Sequence, residues 1–308
     1  MDLASLEPLD GGWSGETYLG AVGDERVVVR ICVRDPDRAE VDAALLRLVH
    51  GLLPVADVLE VRPPGPPGSF APALLVTSLL PGERGDLVLP RLDDAGLARF
   101  GTAVGELVAA LGGMPMPRAG GFVVRDRDLL VEPWDGVPDA LPTYVETHLD
   151  GLRHWTRDEQ AGLLEVADAA QDLLDTVARR CLVHSDLNPK NLLVDPDTLA
   201  VTGLLDWEYA HAGHPFTDLG NVLRFERAPA YADAVLAAYG ARHGVASAPA
   251  LALARAADLW ALVDLASRRE ANPVAARGHD LLLAIARTRD PAAAPPDDAG
   301  WTGLRARA

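Results

Sequence analysis

HSDLNPKNLLVD, residues 184–195, sets a histidine, an aspartate, two asparagines and a lysine between two apolar runs, CLV before them and LLV after. Lys190 is the only lysine in the chain; every other member of the Lys+Arg count of 28 is arginine. LLVD (192–195) is followed by PDT and then LAVTGLLD (199–206), and two apolar runs separated by a Pro/Asp turn read as an antiparallel hairpin. The residue entering the first strand and the residue leaving the second then lie side by side, so Asn191 and Asp206 are expected as neighbours at the open end. An amide oxygen beside a carboxylate suits a hard cation such as Mg²⁺. Asp186, in the loop feeding the first strand, adds a second carboxylate suited to a general base. Metal anchors beside a group that orients a hydroxyl nucleophile form a phosphoryl-transfer constellation.

Composition sets bounds around that reading. With 308 residues, 49% hydrophobic and 24% charged, the chain is long enough for one large domain or two lobes with separate cores. Its apolar runs are short and broken by Pro, Gly or charge, so no membrane span is expected. MDLASLEPLDGG, at the start, lacks the basic and apolar regions of a signal peptide, and a cytoplasmic location is the expectation. Cys32 and Cys181 sit in apolar, strand-like runs and read as buried thiols rather than a disulfide or metal pair. A formal net charge of −17 argues against nucleic acid and anionic membranes as partners, and is compatible with a cationic small molecule.

Outward from the hairpin, the first part of the chain reads as strands. GDERVVVRICV (23–33) and ALLVTSLL (73–80) are rich in β-branched and aliphatic residues. Residues 35–54 between them fit a helix, with Asp35 as N-cap, Pro36 in the first turn, and Gly51 and Pro54 closing it. PPGPPGSFAP (63–72) reads as a surface loop. After Pro81-Gly82 helices dominate: 91–111, 156–180 (opened by Thr156 and Glu159 in capping-box spacing), 216–226, 229–243, 249–270 and 274–288. The expected organisation is a small β-rich lobe over 1–82, a larger helical lobe over 83–290, and a loose tail over 291–308.

LVHSDLNPKNLLVD and VTGLLDWEYAHAGHPFTDLGN resemble, in residue types and spacing over a long span, the aminoglycoside phosphotransferase and choline kinase-like group, distant relatives of protein kinases. The resemblance implies a two-lobed, protein kinase-like α+β fold and MgATP-dependent phosphorylation of a small hydroxyl compound, with GTP not excluded. It implies Asp186 as catalytic base, Asn191 and Asp206 as magnesium ligands, His184 as a brace for the loop, and Asp218 as an acid that ties that loop down through backbone hydrogen bonds. For Asp218 a simple helix N-terminal acid is the alternative.

The same resemblance places the other half of a nucleotide site. DGGWSGETYLG (10–20) resembles the group's phosphate-covering loop, with Gly12, Ser14 and Gly15 letting the backbone approach a triphosphate. Arg30 stands where many relatives carry lysine, and a guanidinium fork can hold two phosphates. Its expected partner is Asp42, which precedes Leu45 and Leu46 by core-facing spacing, with Glu40 as the alternative. Backbone groups near Ser78 and Leu80 are expected to read the base. Lys190, where the group usually has a small residue, is a candidate for a compact charge near the transferred phosphate, with chance retention as the alternative. Acceptor-lining candidates are Glu208, Tyr209, Glu146, Asp150, Asp264, Arg268 and Glu270. The resemblance implies as acceptor a hydroxyl on an aminoglycoside or other antibiotic, or on an amino sugar, a choline-like compound or another small alcohol; a catalytically dead nucleotide-binding module is the third reading. A monomer or homodimer is expected.

Overall fold

The computed structural model describes residues 6–9, 17–66 and 71–294. Gly12, Ser14 and Gly15, and the tail from residue 295 onward, lie outside the described residues.

The N-terminal sheet is antiparallel, built from β1 (Glu7–Pro8), β2 (Thr17–Val22), β3 (Glu25–Cys32), β4 (Val58–Arg62) and β5 (Ala73–Ser78) in the order β1-β2-β3-β5-β4. Strand alternation decides which way β3 faces. Val27 and Val29 pack with Val76 in a small cluster on one side, while Cys32 joins the main core with Ala39 and Leu45. Helix α1 (Arg38–Val49) packs against β4 and β5, burying Val41, Leu45, Leu46 and Val49. Its N-cap is Asp37, not Asp35. Residues 35–38 form a turn in which Arg38 N–H donates to the Asp35 carbonyl (3.2 Å), so Pro36 precedes the helix instead of starting it.

From β5 the chain crosses to β6 (Glu83–Arg84), which pairs with the expected hairpin of β11 (Leu192–Val194) and β12 (Val201–Leu204) in the order β12-β11-β6. Gly82 makes that crossing close. Its φ is +123°, and a Cβ there would meet Thr202 Oγ1 at 2.4 Å. Leu192 pairs with Leu204, a bulge follows between Leu193 and Val194, and Asp195 Oδ1 accepts from the N–H groups of Asp197 and Thr198 to close the turn.

The C-terminal region is helical: α2 (Gly85–Val88), α3 (Asp94–Gly112), α4 (Leu141–His148), α5 (Arg157–Leu174), α6 (Thr217–Leu223), α7 (Pro229–His243), α8 (Ser247–Ser267) and α9 (Pro273–Thr288). The Thr156/Glu159 capping box forms. Asp93 caps α3, which therefore starts after residue 91, and α5 stops before residue 180 because Arg180 opens a strand. α3 and α7 approach closely because a Cβ at Gly101 or Gly105 would sit 2.6 or 2.5 Å from the carbonyls of Tyr231 and Val235. A further sheet, absent from the sequence reading, joins β7 (Pro115–Met116), β8 (Gly120–Arg125), β9 (Asp128–Glu132), β10 (Arg180–Val183) and β13 (His211–Gly213) in the order β7-β10-β13-β8-β9. The result is a β-rich N-terminal lobe and a mostly helical C-terminal lobe. Cys32 and Cys181 are buried, and no disulfide joins them. Among the described residues no helix is long and apolar enough to cross a membrane.

Candidate active site

β10 ends at Val183 and delivers the chain into the loop that precedes β11. His184 is fully buried there. Its Nε2 lies 2.9 Å from the Leu205 carbonyl, its Nδ1 accepts from Asp186 N–H at 3.3 Å, and its ring meets Trp207 edge-on at 5.0 Å. Burial lowers its pKa to about 4, so the ring is neutral at pH 7 and both nitrogens are engaged in holding the loop. Asp218, at the start of α6, accepts from the N–H of His184 (2.9 Å) and of Ser185 (2.8 Å). Ser185 can face it because its φ is +70°, a left-handed conformation that costs energy outside glycine. Burial pushes the Asp218 carboxyl up to about 6 against the pull of those two donors.

Asp186 is held from both sides. Asn188 Nδ2 donates to its Oδ1 at 2.8 Å and Asn191 Nδ2 to its Oδ2 at 2.7 Å. Asn191 is also fixed to the hairpin end, its carbonyl accepting from Leu205 N–H at 2.9 Å. Asp206 follows directly, again left-handed at φ +61°. Because Asn191 spends its Nδ2 on Asp186, its amide oxygen is turned away from that carboxylate. The Asp206 side chain is one-third exposed, with Arg30 Nη2 3.8 Å from its Oδ1. An amide oxygen and a solvent-facing carboxylate at the same hairpin end fit Mg²⁺, which takes its remaining ligands from phosphates and water. Among the described residues no group of three or more His, Cys, Asp or Glu is placed to hold a metal ion.

Arg30 reaches this centre from β3. Its Nη1 lies 3.0 Å from Asp42 Oδ2, and its Nη2 lies 3.2 Å from Glu208 Oε2. Burial opposes its charge, yet Asp42, Asp206 and Glu208 outweigh that and raise its pKa. Asp42 is buried and binds a second arginine that the sequence reading missed: Arg38 Nη2 lies 2.5 Å from Asp42 Oδ1. Arg38 also donates to the Trp207 carbonyl, tying the start of α1 to the segment after Asp206. Glu40 is exposed and plays no part.

The phosphotransferase enzyme family model matches residues 5–259. The chain belongs to that family. Aminoglycoside 3'-phosphotransferase from Streptomyces ribosidificus is 28% identical over 183 residues, covering 56% of this chain and 63% of that protein. Acyl-CoA dehydrogenase family member 11 from Mus musculus is 33% identical over 79 residues, covering 23% of this chain and 10% of that protein. The chain thus spans a tenth of the mouse protein and less than two thirds of the Streptomyces one. Among solved structures, a thermostable form of aminoglycoside phosphotransferase APH(4)-Ia in ternary complex with AMP-PNP and hygromycin B matches with a TM-score of 0.62 at 20% identity, over 93% of this chain and 94% of that one. The GDP complex of aminoglycoside 2'-phosphotransferase-IIIa matches with 0.63 at 15%, over 92% and 93%. At these identities the likeness is one of fold, the protein kinase-like two-lobed fold.

The remaining site residues of this phosphotransferase family member divide by position. Ser78 uses its N–H on the Asp57 carbonyl and its Oγ to accept from Asp57 N–H, whereas the backbone of Leu80 has no hydrogen-bond partner among the described residues. Lys190 is half-buried, and its ammonium has no ion pair or hydrogen bond among the described residues. A cavity of about 340 Å³ opens beside Ser185 and Glu208 and is lined further by Arg38, Phe122, Trp134 and Tyr209. Of the acceptor candidates, Glu208 and Tyr209 line it and the others do not. Asp264 pairs with Arg268 at 2.5 Å one helical turn away, and Glu146, Asp150 and Glu270 are exposed. Trp134, which sequence alone did not single out, is 45% exposed on the segment after β9.

Proposed function

We propose that the chain is a magnesium- and ATP-dependent small-molecule kinase that transfers the γ-phosphate to a hydroxyl of an aminoglycoside or other antibiotic. The observation that carries this is the convergence of Asp186, Asn191, Asp206 and Arg30 from three separate elements within a chain of the phosphotransferase family. The nucleotide-bound states of the fold relatives, AMP-PNP in one and GDP in another, support a nucleotide donor and leave GTP open beside ATP.

Magnesium, held by Asn191 and Asp206, would neutralise charge on the β- and γ-phosphates. Arg30 steadies the donor phosphates as a two-pronged cation anchored on Asp42. Asp186 accepts a hydrogen bond from the acceptor hydroxyl and takes its proton as the new P–O bond forms and the bond from the γ-phosphorus to the departing nucleoside diphosphate breaks. Lys190, whose ammonium has no partner among the described residues, lies on the same short turn as Asn191 and can bring a positive charge to the transferred phosphate. Leu80 offers backbone groups to the base. His184 and Asp218 hold the loop and exchange no proton. Positioning and charge neutralisation supply most of the rate.

A second reading, a kinase for a ring-bearing metabolite alcohol, is favoured by the cavity itself. Its lining holds Phe122, Trp134 and Tyr209 but only one carboxylate, Glu208, which already faces Arg30. A coupled nucleotide-consumption screen tests both. Aminoglycosides including hygromycin B, other amine-bearing antibiotics, choline and small ring alcohols are offered with MgATP, and acceptor-dependent consumption is expected. Absence of both acceptor-dependent turnover and nucleotide binding would overturn the kinase reading.

A further inference from the structure

Asn188 has no part in the transfer scheme above, yet its side chain makes as many hydrogen bonds to Asp186 as that of Asn191, two each. Its Nδ2 donates to Asp186 Oδ1 at 2.8 Å and to the Asp186 carbonyl at 3.2 Å, while its Oδ1 accepts from Lys190 N–H at 3.1 Å. Asn191 occupies the other carboxylate oxygen at 2.7 Å. Each oxygen of Asp186 thus carries one amide donor and keeps a lone pair for another.

The orientation of Asn188 is not a matter of choice. Turning its amide over would set an oxygen against the Asp186 carboxylate and an NH₂ against the Lys190 N–H, two repulsive contacts in place of two attractive ones. Its backbone is set as well. Pro189 follows, and Asn188 adopts the extended conformation (φ −115°, ψ 162°) that a residue before proline favours. The short helical turn Pro189–Asn191 then begins, with Asn188 as its cap.

We propose that Asn188 is a positioning residue: together with Asn191 it clamps the plane of the Asp186 carboxylate so that a lone pair faces the acceptor hydroxyl. This rests on the reading of Asp186 as the group that meets that hydroxyl. A lone carboxylate rotates about its Cβ–Cγ bond, and fixing it before the acceptor arrives removes an ordering cost from the chemical step. Asparagine is suited to the position because one short side chain must donate to Asp186 and accept from Lys190 at once.

The two contacts can be separated by substitution. Asn188→Asp keeps an acceptor for the Lys190 N–H, and so keeps the cap, but replaces the donor facing Asp186 with a like-charged oxygen. Asn188→Ala removes both. Turnover is read as MgATP hydrolysis with water as the accepting hydroxyl, alongside the nucleotide KM. Both variants are expected to lower kcat about tenfold or more, with nucleotide KM changed by less than about twofold. Wild-type kcat in Asn188→Asp would mean that the residue only caps the turn, and a loss confined to nucleotide KM would place it on the donor instead; either result overturns the proposal. Asp186→Ala, assayed in parallel, separates the two levels. If it turns over like wild type, the reading of Asp186 as the group that meets the hydroxyl fails. Should wild type not hydrolyse MgATP, the same variants are read with the acceptor that the screen returns; an essential Asp186 with a silent Asn188→Asp removes only the positioning role.

Discussion

Arg30 and Glu208, 178 positions apart, meet at 3.2 Å. The contact bridges β3 to the segment after Asp206, and it engages the guanidinium nitrogen that also faces Asp206. Phosphates that recruit Arg30 must therefore compete with Glu208. Glu208→Gln keeps the shape and removes the charge, so nucleotide binding should tighten by about two- to fivefold, the range expected for a pair part-screened by solvent. Titration calorimetry with MgATP measures this. Weaker binding would assign Glu208 a direct hold on the nucleotide or its metal.

Asp42 neutralises two arginines at once from a buried position. Asp42→Ala removes the one buried carboxylate that Arg30 and Arg38 share, leaving Arg30 only the more exposed Glu208 and Asp206, and should cost about 3 kcal/mol of stability. Asp42→Asn, which keeps one acceptor, should cost less. Urea denaturation of both variants checks the order, and equal losses would mean that charge alone, and not the shape and acceptor that asparagine retains, is what Asp42 supplies.

Asp186→Ala should lower acceptor phosphorylation by about 10²- to 10⁴-fold while nucleotide affinity stays within about twofold. Joint loss of both would indicate a structural role. Lys190→Arg, at the only lysine of the chain, should reduce turnover with nucleotide affinity unchanged if a compact ammonium is required; full turnover would show that any cation serves.

Gly105→Ala places a Cβ 2.5 Å from the Val235 carbonyl on a helix that cannot shift without moving α7. Forcing α3 and α7 apart should cost about 1–3 kcal/mol, seen as a lowered melting temperature. A neutral or stabilising result would mean that the two helices can re-register.

Acid should destabilise the fold through histidines that packing holds neutral, His184 fully buried and His214 partly so. His184 and His214 are both lowered to about 4, chiefly by burial, from an ordinary value of 6.5. The unfolded chain binds those protons first, so the stability they contribute is complete above about pH 6.5 and is lost as pH falls toward 4. Asp218, raised to about 6 by burial, acts in the opposite sense: its contribution is complete below its unfolded value and is lost as pH rises through 6. His211, His243 and His279 are lowered in the same sense, and Asp42 and Glu208 are raised like Asp218. Five histidines thus act against three acids, and denaturation midpoints measured from pH 7.5 to 4 should decline. A flat profile would contradict the burial of the two rings.

Much of the site could be read from the linear chain, and the reason is locality. The β11–β12 hairpin needs only a turn and two apolar runs, so the juxtaposition of Asn191 and Asp206 follows from register. The Arg30–Asp42 contact spans a strand and the next helix, a distance over which strand alternation and helix periodicity still constrain direction. Arg38 was missed because a basic residue four positions before an acid occurs on many helices, and nothing local marks this pair as buried. Asn188 was passed over because its partner is defined by the fold of a turn, not by spacing.

By itself, then, the chain determined the two-lobed arrangement, the hairpin and the residues at its open end, because short-range sterics and the period of apolar residues set them. Only the tertiary structure decided the sheet that joins β7 and β10 to β8, β9 and β13, the choice of Glu208 and Tyr209 over Asp264 and Glu270 beside the cavity, and the sharing of Arg30 among three carboxylates. Strands of two to six residues carry too little pattern to announce partners far along the chain, and charges on helix surfaces look alike until packing buries some and leaves the others in water.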